Sequence, residues 1–450
     1  MKKEKKISLA SSVQALENTN QTWLARSGNV MPGRQSNFLA PKSYPSLFFE
    51  RASGQEYWDV EGKHYIDFTL GAGPGILGHG HPELLSAIHE QVDKLYYLPA
   101  GAAQTTLEVE LAEAFSAHVP CAEWTRFALS GSEAVQLAIR LSRAHTKRPY
   151  FVRFEGHYHG TADNVFGGAV NPIADVPPYA IDLSTDPYHT AGTSPFSRKD
   201  SFLLPWNDIA ALERFLVKYG DQTALILMEA ILCNGGCCPP RPGYLQAVRK
   251  LCDKYGCVLC FDEVITGFRV SLGSAQQLLG VTPDLATFGK AFAGGMPLSA
   301  LTGKAAILAH LRSGKVVAAG TFNAFPLGMA AALATIRILS RNAGEIFVHL
   351  AAMQHQFVQG LHKLANMYGR KILVQGPTGI VHLAFMNLDK AYSSRELVGA
   401  DLALATKLRI LLLEDGVMMA GGNRFLFSAA LTPSLVDEAL HRIGRAMARL

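Results

Sequence analysis

The chain has 450 residues, 48% hydrophobic and only 18% charged, enough for a large core and two or three domains. No run of about 18 apolar residues occurs, and MKKEKK runs into ISLASSVQALENTN, too polar for a secretory core; a cytoplasmic location is the expectation. The net charge of +5 gathers partly in that basic tip, and no basic stripe that would grip a nucleic acid follows it.

Residues 9–30 read as an N-terminal helix ending at the breaker Met31-Pro32-Gly33. Leu47 to Phe68 alternates apolar and polar residues around Ser53-Gly54 and Glu61-Gly62, the pattern of a small antiparallel meander. Gly71 to Gly80 is a glycine-rich loop, whose spacing is not that of a dinucleotide fingerprint. His81-Pro82-Glu83 then opens a helix to about Leu95.

From about 105 to 305, short apolar segments alternate with helical ones. Strands are expected at Arg126–Ser130, Tyr150–Phe154, Ala224–Glu229, Val258–Val264 and Leu285–Gly289. That alternation predicts an α/β fold: a large domain with a mostly parallel sheet between helices, plus a smaller α+β domain. The expected division is 1–85, 86–340 and 341–450, with the last region packing on the first. Residues 326–343 read as a long helix, ILVQGPTGIVHLAFM and MMAGGNRFLFSAAL as strands, and Pro433 to Leu450 as a final helix.

Seven cysteines are too few and too odd in number for a disulfide framework in a chain this long. Cys257 and Cys260 form a C-x-x-C that invites a zinc reading, but VLCFDEV reads as a buried strand in which Cys260 is a small hydrophobe. No metal is expected.

Three polar groups end predicted strands, where ligands of α/β sheets bind. Ser130-Gly131-Ser132-Glu133-Ala134 leads into a helix whose free N–H groups suit a phosphate, or is an ordinary N-cap. Asp262 is a carboxylate at the end of an apolar strand, costly unless paired; a protonated pyridine nitrogen, a salt bridge or a turn cap would each serve. Lys290, flanked by Gly289, Gly294 and Gly295, is either a snorkelling surface lysine or a buried amine freed for carbonyl attack.

Taken in order, MPG, SGSEA, FEGHYHG, MEA followed by Asn234, FDEVITGFR, FGK and GTFNAFPLGMAAALA resemble the class III aminotransferases. These are pyridoxal 5′-phosphate (PLP) enzymes of fold type I. The resemblance covers roughly residues 25 to 445 and is nearest to the glutamate-1-semialdehyde aminomutase and β-amino-acid aminotransferase branch. It implies that Lys290 holds PLP covalently as a Schiff base and shuttles a proton, the cofactor passing through its pyridoxamine 5′-phosphate form. It further implies that Asp262 pairs with the pyridine nitrogen and that Gly131 and Ser132 hold the phosphate. Tyr158 and Val264 would cover the two ring faces, and Asn234 would bond near the phenolic oxygen with Glu229 in support. Thr321 would reach the phosphate of a neighbouring subunit's cofactor, making the protein a homodimer with shared active sites. His157 and His159 are expected to serve local hydrogen bonds around Tyr158, and His79 and His81 to be loop and cap residues.

Members of this branch that bind a substrate carboxylate place an arginine just after MPG. Here Arg34 comes early, and Asn37, Leu39 or Ala40 stands in the usual place, which weakens the aminomutase reading because an amide or alkyl group cannot replace a guanidinium clamp. Arg424, in GGNRF, matches an arginine that the β-amino-acid aminotransferases use for carboxylates. The expected activity is intermolecular transfer of an amino group from a small-molecule amino acid donor to an oxo acid, a β-oxo acyl group or an aldehyde, free or carrier-tethered. Intramolecular amino transfer of the aminomutase type, and a non-catalytic scaffold of the same fold, are the alternatives.

Overall fold

In the computed structural model, which describes residues 18–32, 45–98, 101–168, 192–194, 196–197 and 199–450, the alternating segment after Leu47 folds as expected. Strands β1 (Phe49–Ser53), β2 (Glu56–Asp59) and β3 (His64–Phe68) pair antiparallel in sequence. Gly54 and Gly62, at φ +57° and +79°, make the turns, left-handed backbone that glycine adopts without a Cβ penalty. Ahead of them a helix spans Asn20–Gly28, its N-terminus closed by the Thr19 side chain accepting from the Thr22 N–H. The earlier half of the predicted helix lies outside the described residues. The helix Pro82–Lys94 starts with proline in its first turn, where the missing N–H costs nothing.

Among the described residues, seven strands form the main sheet: β4 (Trp124–Ala128), β5 (Tyr150–Phe154), β6 (Ser201–Leu204), β7 (Thr223–Met228), β8 (Val258–Glu263), β9 (Leu285–Phe288) and β10 (Ser299–Gly303). Their order is β4-β10-β9-β8-β7-β5-β6. Only β10 runs against the others. Strands β7, β8 and β9 are buried throughout, as a parallel sheet covered on both faces requires. Side chains alternate between two cores. Ile226, Met228, Leu259 and Phe261 pack with the helices Ile209–Tyr219 and Tyr244–Tyr255. Leu225, Leu227, Val258 and Cys260 pack with the helix Gly131–Thr146. Cys260 is thus a core side chain.

Two strands escape the sequence pattern. β6 is only four residues long, and β10, Ser-Ala-Leu-Thr-Gly, has no apolar run. Its hydroxyls are satisfied internally, Ser299 Oγ donating to the Ser130 carbonyl at 2.7 Å and Thr302 Oγ1 to that of Trp124 at 2.8 Å, so a polar sequence is buried without loss. β4 ends two residues before the expected Ser130, because Ser130 is the N-cap of the next helix.

The long helix expected at 326–343 stops at Leu339, and a turn through Asn342 (φ +47°) separates it from a second helix, Glu345–Met367. β11 (Ile372–Gln375), β12 (Ile380–Phe385), β13 (Val417–Met419) and β14 (Arg424–Leu426) follow. β11, β12 and β14 form an antiparallel sheet, whereas β13 crosses to run parallel beside β3. MMAGGNRFLFSAAL therefore serves two sheets, breaking at Gly422 (φ +71°) and Asn423 (φ +53°). Gln55 fastens the junction, Nε2 donating to the carbonyls of Asp67 and Leu426 and Oε1 accepting from the Ser428 N–H. The helix Pro433–Met447, capped by Thr432, closes the chain.

Candidate active site

The carboxyl ends of the parallel strands carry the polar groups picked out in the sequence. Gly131 and Ser132 open the helix after β4. Tyr158 follows β5, Glu229 follows β7, Asp262 lies in β8 and Lys290 comes two residues after β9. One cavity of about 140 Å³ gathers them: Gly131, Ser132, Tyr158, Glu229, Asn234, Asp262, Val264 and Lys290 all line it.

The turn that presents Lys290 is unusual. Lys290 itself is left-handed at φ +51°, a conformation seldom adopted by a residue with a side chain. Gly73, at φ +120°, faces it, and a Cβ there would stand 3.4 Å from Lys290 Cδ, so the glycine-rich loop hugs the lysine stem. Burial pulls the Lys290 amine down to about 8, the Arg424 charge acting the same way against Asp262 and Glu229. A large share of the amine is therefore neutral near pH 8.

Asp262 and Glu263 are neighbours pointing to opposite faces of β8. Asp262 is 5% exposed; Oδ2 meets His159 Nδ1 at 2.7 Å, and Oδ1 accepts from the Val264 N–H and from Thr287 Oγ1. Glu263, fully buried, turns away to accept from Thr266 Oγ1, the Ala275 and Gln276 N–H groups and Gln276 Nε2. Its role is to hold the start of the helix Ser274–Leu279. Burial raises its carboxyl. The adjacent acids of FDEV thus divide, one toward the cavity and one into the scaffold.

The helix Gly131–Thr146 opens with a reciprocal capping box between Ser130 and Glu133. A Cβ on Gly131 would meet Val264 Cγ2 at 3.0 Å, and one on Gly160 (φ +104°) would meet Ser132 Oγ at 2.4 Å. Both glycines are thus required by close approach. Ser132 Oγ also accepts from the Thr161 N–H at 3.3 Å.

The HYHG run is wired residue by residue. Glu229 Oε1 accepts from the Tyr158 N–H at 2.9 Å and from Asn234 Nδ2 at 2.9 Å, and Oε2 from the Asn234 N–H at 3.2 Å. Burial raises Glu229, opposed by the Asn234 hydrogen bond. His157 Nδ1 accepts from the Glu229 N–H, and burial holds this imidazole well below its usual range, so it is neutral. Both histidines take hydrogen bonds, as expected, but His159 has a particular partner that the sequence did not disclose: Asp262. Its signal was a second histidine two residues after His157 in the loop that follows β5, beside a residue bound for the cavity. Of the other pair, His79 Nε2 meets Asp67 Oδ2 at 2.9 Å and His81 stands at the N-cap of Pro82–Lys94.

Arg424 begins β14 and does not line the cavity wall, yet its charge reaches Lys290. It is 7% exposed and held by carbonyls, Nε donating to Gly421 O at 3.0 Å and Nη1 to Cys233 O at 3.3 Å. Thr321 lies elsewhere, in an open groove of about 1040 Å³ with Tyr96, Tyr97, Val109 and Phe322. Arg34, Asn37, Leu39 and Ala40 fall outside the described residues.

A strand-end lysine with a lowered basicity, a buried carboxyl group and a glycine-lined helix N-terminus, all lining one cavity, are groups that would fit PLP: an amine for the aldehyde, a carboxyl group for the ring nitrogen, N–H groups for the phosphate. With the parallel-rich sheet beneath, they define a PLP-dependent transferase of fold type I. The family model of class III aminotransferases matches residues 39–439. An omega-transaminase from Sphaerobacter thermophilus superposes with a TM-score of 0.87 at 28% identity, over 96% of this chain and 98% of that one. A PLP-bound transaminase gives 0.84 at 27% identity, over 97% and 98%. A β-phenylalanine aminotransferase from Variovorax paradoxus gives 0.81 at 27%, over 96% and 94%. The chain belongs to the class III aminotransferases, and is a PLP-dependent aminotransferase.

Proposed function

We propose that this aminotransferase works intermolecularly, taking an amino group from an amino acid such as glutamate and giving it to an oxo acid, a β-oxo acyl group or an aldehyde. The observation that carries the reading is the convergence of Lys290, Asp262 and the Gly131–Ser132 turn on one cavity beside a carbonyl-tethered Arg424. PLP, when bound, supplies a conjugated ring that accepts electron density from the substrate carbon losing its proton. Lys290 Nζ, lowered to about 8, takes that proton and returns it one position away. Asp262, held by His159 and the Val264 N–H, would pair with the ring nitrogen. Gly131 and Ser132 would hold the phosphate, Tyr158 and Val264 would cover the ring faces, and Asn234, fixed by Glu229, would bond to the phenolic oxygen. Arg424 receives the substrate carboxylate.

The Thr321 groove supports a homodimer in which Thr321 completes the partner's phosphate site. Seven buried free thiols support a cytoplasmic setting. The crossing of β13 to β3 supports a division into residues 1–85, 86–340 and 341–450 in which the last region packs on the first. The deciding experiment is incubation with glutamate alone. Conversion of the cofactor to its pyridoxamine form with one equivalent of 2-oxoglutarate is expected. Turnover of glutamate semialdehyde without any acceptor, and none with common donors, would replace this reading by the aminomutase one.

A further inference from the structure

Between Glu229 and Pro239 the chain makes a tight hairpin that touches the cavity on one side and hides three thiols on the other. Leu232 and Cys238 exchange both backbone hydrogen bonds, at 3.0 and 3.1 Å, as an isolated antiparallel bridge. One step inside that bridge, Cys233 and Cys237 stand opposite each other. A disulfide spans Cα atoms about 4.4–6.8 Å apart, and Cys233 and Cys237 are the two ends of the tight turn that this bridge closes. Cys237 Sγ lies 3.7 Å from the Cys233 carbonyl oxygen. Gly236 and Cys237, both left-handed at φ +98° and +55°, bring the chain round.

The hairpin is wired to the cavity twice. Cys233 O is the acceptor that tethers Arg424 Nη1, and the next residue, Asn234, is held by Glu229. We propose that Cys233 and Cys237 are a redox-modifiable dithiol, closing to a disulfide under peroxide and loosening Arg424 as they do. Two S–H bonds and the peroxide O–O bond break, one S–S bond forms and two waters leave; the sulfurs are oxidised and the peroxide oxygens reduced. Closure removes the Cys237 S–H and turns the Cys233 peptide, so the Arg424 tether goes with it. Cys233 is fully buried, and its contact with Cys237, then burial, holds its thiol well above the ordinary range. The pair therefore reacts at the slow rate of a buried thiol, not at that of an exposed thiolate, and answers sustained oxidation.

The test exposes the PLP-loaded enzyme to hydrogen peroxide for hours, blocks free thiols in denaturant, reduces, and labels the released thiols with a second reagent. Peptide sequencing is expected to find the second label on Cys233 and Cys237 and the first on Cys238. The Michaelis constant for a carboxylate-bearing donor is expected to rise about tenfold, the loss of one charge-assisted hydrogen bond, and to return after dithiothreitol. Cys237→Ser is expected to keep the starting constants and lose the response. The second label on Cys237 and Cys238, or on none of the three, overturns the proposal, as does a linked pair with unchanged kinetics. The labelling is read without turnover, so it stands or falls apart from the transaminase reading.

Discussion

The cavity at Lys290 and the groove at Thr321 are built on opposite terms. In the first, each polar group is fixed by another of the same chain: Asp262 by His159, Asn234 and Tyr158 by Glu229, Arg424 by two carbonyls. In the second, Tyr96, Tyr97, Val109 and Phe322 leave 53, 62, 57 and 55% of their surface uncovered. Large aromatic groups clustered in an open groove mark a contact surface. The contrast teaches that the cavity is preorganised by the fold of one chain, whereas the groove at Thr321 is left open, as the second copy proposed above would require.

Substitutions at the preorganised end should therefore act most strongly. Lys290→Ala is expected to cost about 10⁴-fold or more in turnover with an unchanged circular dichroism spectrum; retained activity would show that another amine carries the chemistry. Asp262→Asn should bind PLP yet lose about 10³-fold in kcat, the scale of a removed electrostatic partner, checked by steady-state kinetics on the loaded enzyme. For Arg424→Ala, the Michaelis constant for carboxylate donors is expected to rise about 30-fold, as for loss of a charge-assisted contact, with amines lacking a carboxylate unaffected. Equal effects on both would remove the clamp.

The pH dependence sharpens the same side of the comparison. Apoprotein should capture PLP about tenfold faster at about pH 9 than at about pH 7, because the neutral Lys290 amine grows through a midpoint of about 8; a midpoint at the ordinary lysine value would break the burial argument. The sign for stability follows from the same shift. Between about 8 and 10.5 the unfolded chain holds the proton that folded Lys290 has released, so apoprotein stability rises with pH across that window and is flat below it. The smallest effect is expected in the groove: Thr321→Ala should weaken PLP binding about fivefold, one lost hydrogen bond, measured by spectroscopic titration. That loss should be seen at protein concentrations where sedimentation finds a dimer, and vanish where it finds a monomer.

Much of this site could be read without coordinates because its chemistry sits at punctuation. Strand ends are marked by a switch from apolar runs to glycine, and SGSEA, FDEV and FGK each place a polar residue there. What stayed hidden depended on which face a side chain takes and on pairings far along the chain. Nothing local distinguishes Asp262 from Glu263, yet a pleat period of two sends one to the cavity and the other to cap Ser274–Leu279. His159 meets Asp262 across 103 residues, and β10 is buried only because its hydroxyls find the carbonyls of Ser130 and Trp124.

By itself the sequence determined the kind of sheet and the order of the strand-end groups, the amine and carboxylate that line one cavity among them, because these follow from local periodicity and residue type. The tertiary structure alone decided how that amine is tuned, what steadies the carboxylate, where MMAGGNRFLF divides between two sheets, and that the Cys237 thiol lies against the Cys233 carbonyl. Those depend on burial and on contacts between distant segments, which a linear pattern of hydrophobic and polar residues does not encode.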